Sequence, residues 1–154
     1  MFLHLFHWFD QSRIAVIIRD STWAFAAIEV LHLFGLTLLL GTLIVINVRV
    51  FGWGLIRQSI SEVAADVMPW TVLGLAVTII SGSLLFVSEA MKCYDSAPFF
   101  IKMGCLAAAL LLTFTVNLRL TYTNRPSAGS KIAAGLSLAL WFSVGLAGRA
   151  IAFF

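Results

Sequence analysis

The sequence predicts an all-α integral membrane protein. It reads as a four-helix bundle of up-down topology, led by an amphipathic helix lying in the membrane interface. Three observations carry this. Of 154 residues, 61% are hydrophobic and 11% charged, against roughly 25% charged in soluble domains, and the mean hydropathy is +1.01. Four apolar runs each reach the ~20 residues that cross a ~30 Å hydrocarbon core as a helix. Turn-rich segments separate these runs: FGWG (51–54), DSAP (95–98) and NRPSAGS (124–130). Lipid offers the backbone no hydrogen bonds, so helices follow from the hydropathy.

Residues 1–20 come first. MFLHLFHWFD is apolar but lacks a basic leading region and a small-residue cleavage site, so it does not read as a cleaved signal. With QSRIAVIIRD it reads as an interfacial helix, Trp8 and the arginines at headgroup level. The spans are expected at about 22–48, 70–90, 98–120 and 131–153, forming one transmembrane domain over 1–154. Ser59-Ile60-Ser61-Glu62 reads as the capped start of a short helix ahead of the second span. Pro69 and Pro98 suit the first turns of the second and third spans.

Cys93 falls in a short loop and Cys105 about two turns into the third span, too far apart to bridge. No metal-ligand spacing surrounds either, and both read as packing residues. The net charge of +3 bears on topology rather than on nucleic acid. Arg49, Arg57, Arg119, Arg125 and Lys131 lie on one side; Arg13, Arg19, Lys92, Lys102 and Arg149 lie on the other. That even split leaves the unopposed RPSAGSK loop to place both termini outside.

A weak repeat is present. Asn47-Val48-Arg49 ends the first span and Asn117-Leu118-Arg119 ends the third. An Asn cap and a snorkelling Arg account for it locally. A duplicated hairpin related by a two-fold axis along the membrane normal accounts for it globally. The second account sets Lys102 opposite His32.

The ionisable residues decide where function is sought. Glu29 and His32 lie two to three turns into the first span, and Glu89, Lys102 and Arg149 fall in the same half of the membrane. Each costs ~2.5–3.5 kcal/mol on insertion scales, which makes it a candidate site residue. Internal neutralisation is one account: Glu29 with Arg149, Glu89 with Lys102, and His32 as an interhelical hydrogen-bond donor. The other is a cofactor. A neutral imidazole between facing helices is a ligand for haem iron. Glu29 shares its helix face, while Lys102 and Arg149 suit propionates. Gly35 and Gly82, with Gly41, Gly74 and Gly145, would let a flat macrocycle or another helix approach. A second axial ligand is open among His7, His4, Lys102 and Met103. A zinc or copper site lacks three clustered ligands.

Several stretches together resemble a known group: His32-Leu33-Phe34-Gly35 with the small residues that follow, Ser88-Glu89-Ala90 closing the second span, Pro98-Phe99-Phe100-Ile101-Lys102-Met103 opening the third, and Trp141 followed by Gly148-Arg149 in the fourth. The pattern is similar to small four-span bacterial membrane families that include the copper-resistance D-type membrane domain and the haem-b protoporphyrinogen oxidase. The resemblance implies haem binding by His32 and an essential role for Lys102. The residues directly after His32 and the C-terminal segment depart from the oxidase pattern, so haem rather than oxidase activity is what carries over.

The expectation is therefore a b-type haem protein of the bacterial inner membrane, in electron transfer or porphyrin-linked redox chemistry, served by a quinone or a redox protein. No catalytic residue is assigned. The alternative is a non-enzymatic membrane subunit or homo-oligomer whose polar cluster fixes helix packing. A third is a small transporter or proton pathway with Glu29 and His32 as its relay.

Overall fold

A computed structural model describes residues 2–94, 96–122 and 127–150, with side chains at all of these except 2, 3, 5, 116–122, 149 and 150. The elements run α1 (Phe2–Asp10), α2 (Arg13–Asp20), α3 (Thr22–Phe51), α4 (Ile60–Ser88), α5 (Ala90–Tyr94), α6 (Ala97–Tyr122) and α7 (Ala128–Ala150), with no strand among the described residues. Among the described residues, four helices are long and apolar enough to span a membrane: Thr22–Phe51, Ile60–Ser88, Ala97–Thr115 and Ala128–Gly148. The chain is a multi-pass α-helical membrane protein.

Where one interfacial helix was expected over 1–20, there are two. Ser12 breaks the run by adopting an extended conformation and accepting a hydrogen bond from the Ala15 amide at 3.2 Å, an N-cap for α2. Arg19 then ties α2 back to α1, donating to the Asp10 carbonyl at 2.8 Å. Ser21 caps α3 in the same way, through the Ala24 amide.

α3 ends in a Schellman turn. Gly52 takes φ +79°, and Trp53 N–H donates to the Val48 carbonyl at 3.0 Å. Arg49 Nε donates to the Gln58 carbonyl at 2.7 Å and closes the connection to α4. The capping box at Ser59 and Glu62 is present, but the helix it starts does not stop before Pro69. It runs unbroken through that proline to Ser88. An interior proline costs ~3 kcal/mol; burial of Ile60, Val63 and Ala64, with Ile60 against Ile46 and Val50 of α3, outweighs it. Pro98 does sit in the first turn of α6.

The four long helices alternate in direction. α3 packs closely on α4 and α6 closely on α7, while looser α3–α7 and α4–α6 seams join the two hairpins. Leu39 and Leu43 of α3, Ala109 of α6 and Trp141 of α7 fill the middle. Trp141 is the largest side chain fully buried there, and its indole N–H donates to Thr113 Oγ1 at 2.8 Å. Thr113 Oγ1 in turn bonds Ser137 Oγ at 2.9 Å, a polar pin between α6 and α7. Around the α1 end, Phe6, Ala90 and Cys93 pack with Phe86, Tyr94 and Phe99.

Large apolar side chains cover the outside, as a lipid-facing surface requires. Exposed Trp8 and Trp23 mark one end and exposed Trp70 the other, while exposed Trp53 lies about ten residues farther along the α3–α4 pair. From Trp70 to Ser88 along α4 is about 27 Å at 1.5 Å per residue, close to the hydrocarbon thickness of about 30 Å. The first ten residues of α4 therefore project beyond the bilayer, with Glu62 and Asp66 exposed on them.

Candidate functional site

Helix α3 brings His32 to α4, and glycine makes the approach possible. A Cβ on Gly74 would lie 2.8 Å from the Leu39 amide nitrogen, and one on Gly35 would lie 2.8 Å from Thr78 Oγ1. With hydrogens at those positions the backbones close together, as at small-residue contacts between membrane helices. Gly35, expected on a cofactor-facing surface, has its surface taken by Val77 and Thr78 of α4. Gly82 plays the other expected part: the His32 ring lies over it, Cε1 3.0 Å from where a Cβ would stand.

The imidazole is held by one nitrogen. Nδ1 lies 3.1 Å from the Thr78 carbonyl and 3.0 Å from Ser81 Oγ. A carbonyl only accepts, so Nδ1 carries the hydrogen. Ser81 spends its own hydroxyl hydrogen on the Val77 carbonyl at 2.5 Å, so toward His32 it also accepts. Nδ1–H is therefore shared between two acceptors, and Nε2 of the neutral ring keeps its lone pair. Nε2 has no hydrogen-bond partner among the described residues. From Thr22 to His32 is about 15 Å of helix, deep in the first span. The Thr78 hydroxyl is buried without a partner beside this contact.

The remaining expected site residues divide. Lys102 is half-buried, its chain laid along Gly148 of α7 with Nζ 3.3 Å from that glycine's missing Cβ. It has no hydrogen-bond or ion-pair partner among the described residues, and it lies within electrostatic reach of both His32 and Cys93. Glu29 is exposed on the outer face of α3, one turn from His32. Glu89 pairs with Lys92 at 3.6 Å rather than with Lys102, because α5 brings Lys92 round one turn after α4 ends. The Arg149 side chain lies outside the described residues, so its expected pairing with Glu29 does too.

Of the four candidate second ligands, Met103, His4 and His7 are exposed and Lys102 is turned into the bundle. No group of three or more His, Cys, Asp or Glu that could hold a metal ion exists among the described residues. Cys93 and Cys105 are free thiols.

Sequence reasoning missed the acceptors. Thr78, Ser81 and Gly82 recur at helical spacing within an otherwise apolar run, and that stripe was the available signal. It also missed the Thr113–Ser137–Trp141 pin.

Residues 5–154 match the model of a family described as a family of unknown function, DUF6644. No curated protein and no solved structure matches the chain.

Proposed function

We propose that this chain, which belongs to the DUF6644 family, is a b-type haem-binding protein of the bacterial inner membrane in which His32 Nε2 would hold the iron. The observation that carries the reading is the state of the imidazole. Its Nδ1–H is committed to the Thr78 carbonyl and Ser81 Oγ, and its Nε2 lone pair is unengaged among the described residues. Ligating histidines are held in this way: the second ring nitrogen donates to a backbone or side-chain oxygen, which fixes the tautomer and raises the basicity of the ligating one.

Bound haem supplies one-electron chemistry. The chain's own residues orient and hold. Thr78 and Ser81 fix the ring plane, Gly82 leaves room for it, and Lys102 would offer an ammonium to a propionate. A membrane quinone or a redox protein is the exchange partner this reading implies. The unopposed basic loop between α6 and α7 supports that end as cytoplasmic, with both termini outside.

The test is the visible spectrum of the purified protein after haem-replete expression, oxidised and dithionite-reduced. A Soret band that is lost or shifted in His32→Ala supports the reading. No band, or a band unchanged in His32→Ala, refutes it.

The hydrogen bonds from His32 to α4 favour a second reading, in which the imidazole is a clamp within a non-enzymatic membrane subunit. His32→Gln separates the two. An amide can still donate to the Thr78 carbonyl but is a poor iron ligand, so the clamp reading expects no spectrum in either protein and only a change in stability.

A further inference from the structure

A second site lies at the membrane surface, independent of anything held by His32. Where α2 meets α3 and α4, a cleft of about 250 Å³ is lined by Arg19, Ser21, Thr22, Phe25, Ser88 and Glu89. It lies where the span of α3 begins and that of α4 ends, at the level of exposed Trp8 and Trp23. Pockets for drug-sized ligands run to roughly 300–1,000 Å³, so this smaller cleft suits a small polar group.

Both charged residues of the cleft stand at helix junctions. Glu89 is the C-cap of α4 and directly precedes α5. Arg19 lies in the last turn of α2, three residues before α3 begins. One wall therefore presents a carboxylate and the other a guanidinium. Each has an ion-pair partner, but a long and partly exposed one. Lys92 reaches Glu89 only at 3.6 Å, with both side chains two-fifths or more exposed. Arg19 makes its short bond to the Asp10 carbonyl, and its contacts to the Asp10 carboxylate are 3.4 and 3.5 Å. Ser21 Oγ accepts from the Ala24 amide, so its hydroxyl hydrogen remains to be donated. Ser88 is already committed to the Leu85 carbonyl. Phe25 adds an apolar surface.

We propose that this cleft binds the headgroup of a phospholipid that carries both a phosphate and a primary ammonium, phosphate toward Arg19 and Ser21, ammonium toward Glu89. A single molecule then satisfies both walls. The primary amine matters, because three N–H donors can reach the Glu89 carboxylate. A quaternary ammonium has none, and its usual recognition by an aromatic cage has only Phe25 here. An anionic headgroup without an amine would leave Glu89 facing like charge.

The test uses the full chain, delipidated in detergent and titrated with phosphatidylethanolamine, phosphatidylcholine or phosphatidylglycerol, with bound lipid read by native mass spectrometry. Phosphatidylethanolamine is expected to bind most tightly. Glu89→Gln is expected to reduce its preference over phosphatidylcholine about tenfold, the loss of one charge-assisted hydrogen bond. Arg19→Gln should weaken both zwitterionic lipids. Lys92→Gln should leave the preference intact or raise it, since it frees Glu89. Equal binding of the three lipids, tighter binding of phosphatidylglycerol, or an unchanged preference in Glu89→Gln overturns the proposal. Glu89→Asp guards against misfolding: it keeps the carboxylate and should retain most of the preference, and its loss there in a protein of unchanged helix content also counts against the site.

Discussion

Replacing Gly74 by alanine tests the packing that places His32. The new Cβ would stand 2.8 Å from the Leu39 nitrogen and 3.1 Å from both the Leu39 Cα and the Gly35 carbonyl oxygen. These are backbone atoms and cannot rotate away. Ordinary contact begins near 3.4 Å, so α3 and α4 must separate by about half an ångström. Overpacking of this kind costs typically about 1–3 kcal/mol, and the better helix propensity of alanine returns at most about 1 kcal/mol. The same separation stretches the contacts of His32 Nδ1 at 3.0 and 3.1 Å beyond hydrogen-bond range, each worth about 0.6 kcal/mol in a membrane bundle. The expected net loss is about 2 kcal/mol. It is measured by titrating denaturing detergent into mixed micelles and following helix content. Gly41 is the control, since a Cβ there meets nothing within 4 Å, and Gly41→Ala should be neutral or slightly stabilising. Nitrogen chemical shifts of the His32 ring add a second readout, Nδ1 protonated in the wild type and less firmly so in Gly74→Ala. A Gly74→Ala protein as stable as Gly41→Ala would refute the claim that this contact sets the distance between the helices.

Two further outcomes follow from the other hairpin and the α5 turn. Thr113→Val keeps the shape but leaves the Trp141 indole N–H buried without an acceptor. It should cost about 1–3 kcal/mol in the same titration, and more than Ser137→Ala, which leaves that bond in place. Burial is the main cause that raises the Cys93 thiol above its ordinary value; Glu89 adds to it, and Lys102 and Lys92 partly oppose. A raised folded value favours the neutral thiol, so its stabilising contribution is complete below the ordinary thiol range, about 8.5, and is lost as pH rises through the higher folded value. Cys93 should therefore alkylate more slowly than a free thiol at pH 8. The wild type should lose stability at alkaline pH more steeply than Cys93→Ala; equal slopes would show that the thiol is not the titrating group.

The membrane fold was legible because each span announces itself by length and hydropathy alone, whatever it packs against. Limits were less legible where two local signals competed. At Pro69 the sequence offers a breaker, and only the burial of Ile60 and Val63 some two turns earlier shows that the helix passes through it. At Ser12 a hydroxyl in an amphipathic run became a cap, which periodicity does not register. His32 stood out because a deep imidazole is costly wherever it points. Its partners did not stand out, since one is a backbone carbonyl, which every residue has, and the other is a serine, which apolar helices tolerate by bonding to their own preceding turn. Glu29 shows the converse. Its spacing from His32 was right for a shared site, yet it lies exposed on the outer face. Three residues turn a helix by about 300°, and that residual angle separates a buried edge from a lipid-facing one.

Each hairpin carries one polar pin, and the difference between them bears on function. In the α6–α7 pin the bonding is mutual: the Trp141 indole has one hydrogen and gives it, while Thr113 accepts from it and shares a second bond with Ser137. A tryptophan has nothing further to offer. In the α3–α4 pin the histidine spends one nitrogen and retains the other. A clamp alone would be served as well by an asparagine or glutamine, whose amides can donate and accept across helices at similar energies. An imidazole adds a second nitrogen whose lone pair survives the clamping. That retained lone pair is the feature on which the proposed iron ligation at His32 rests.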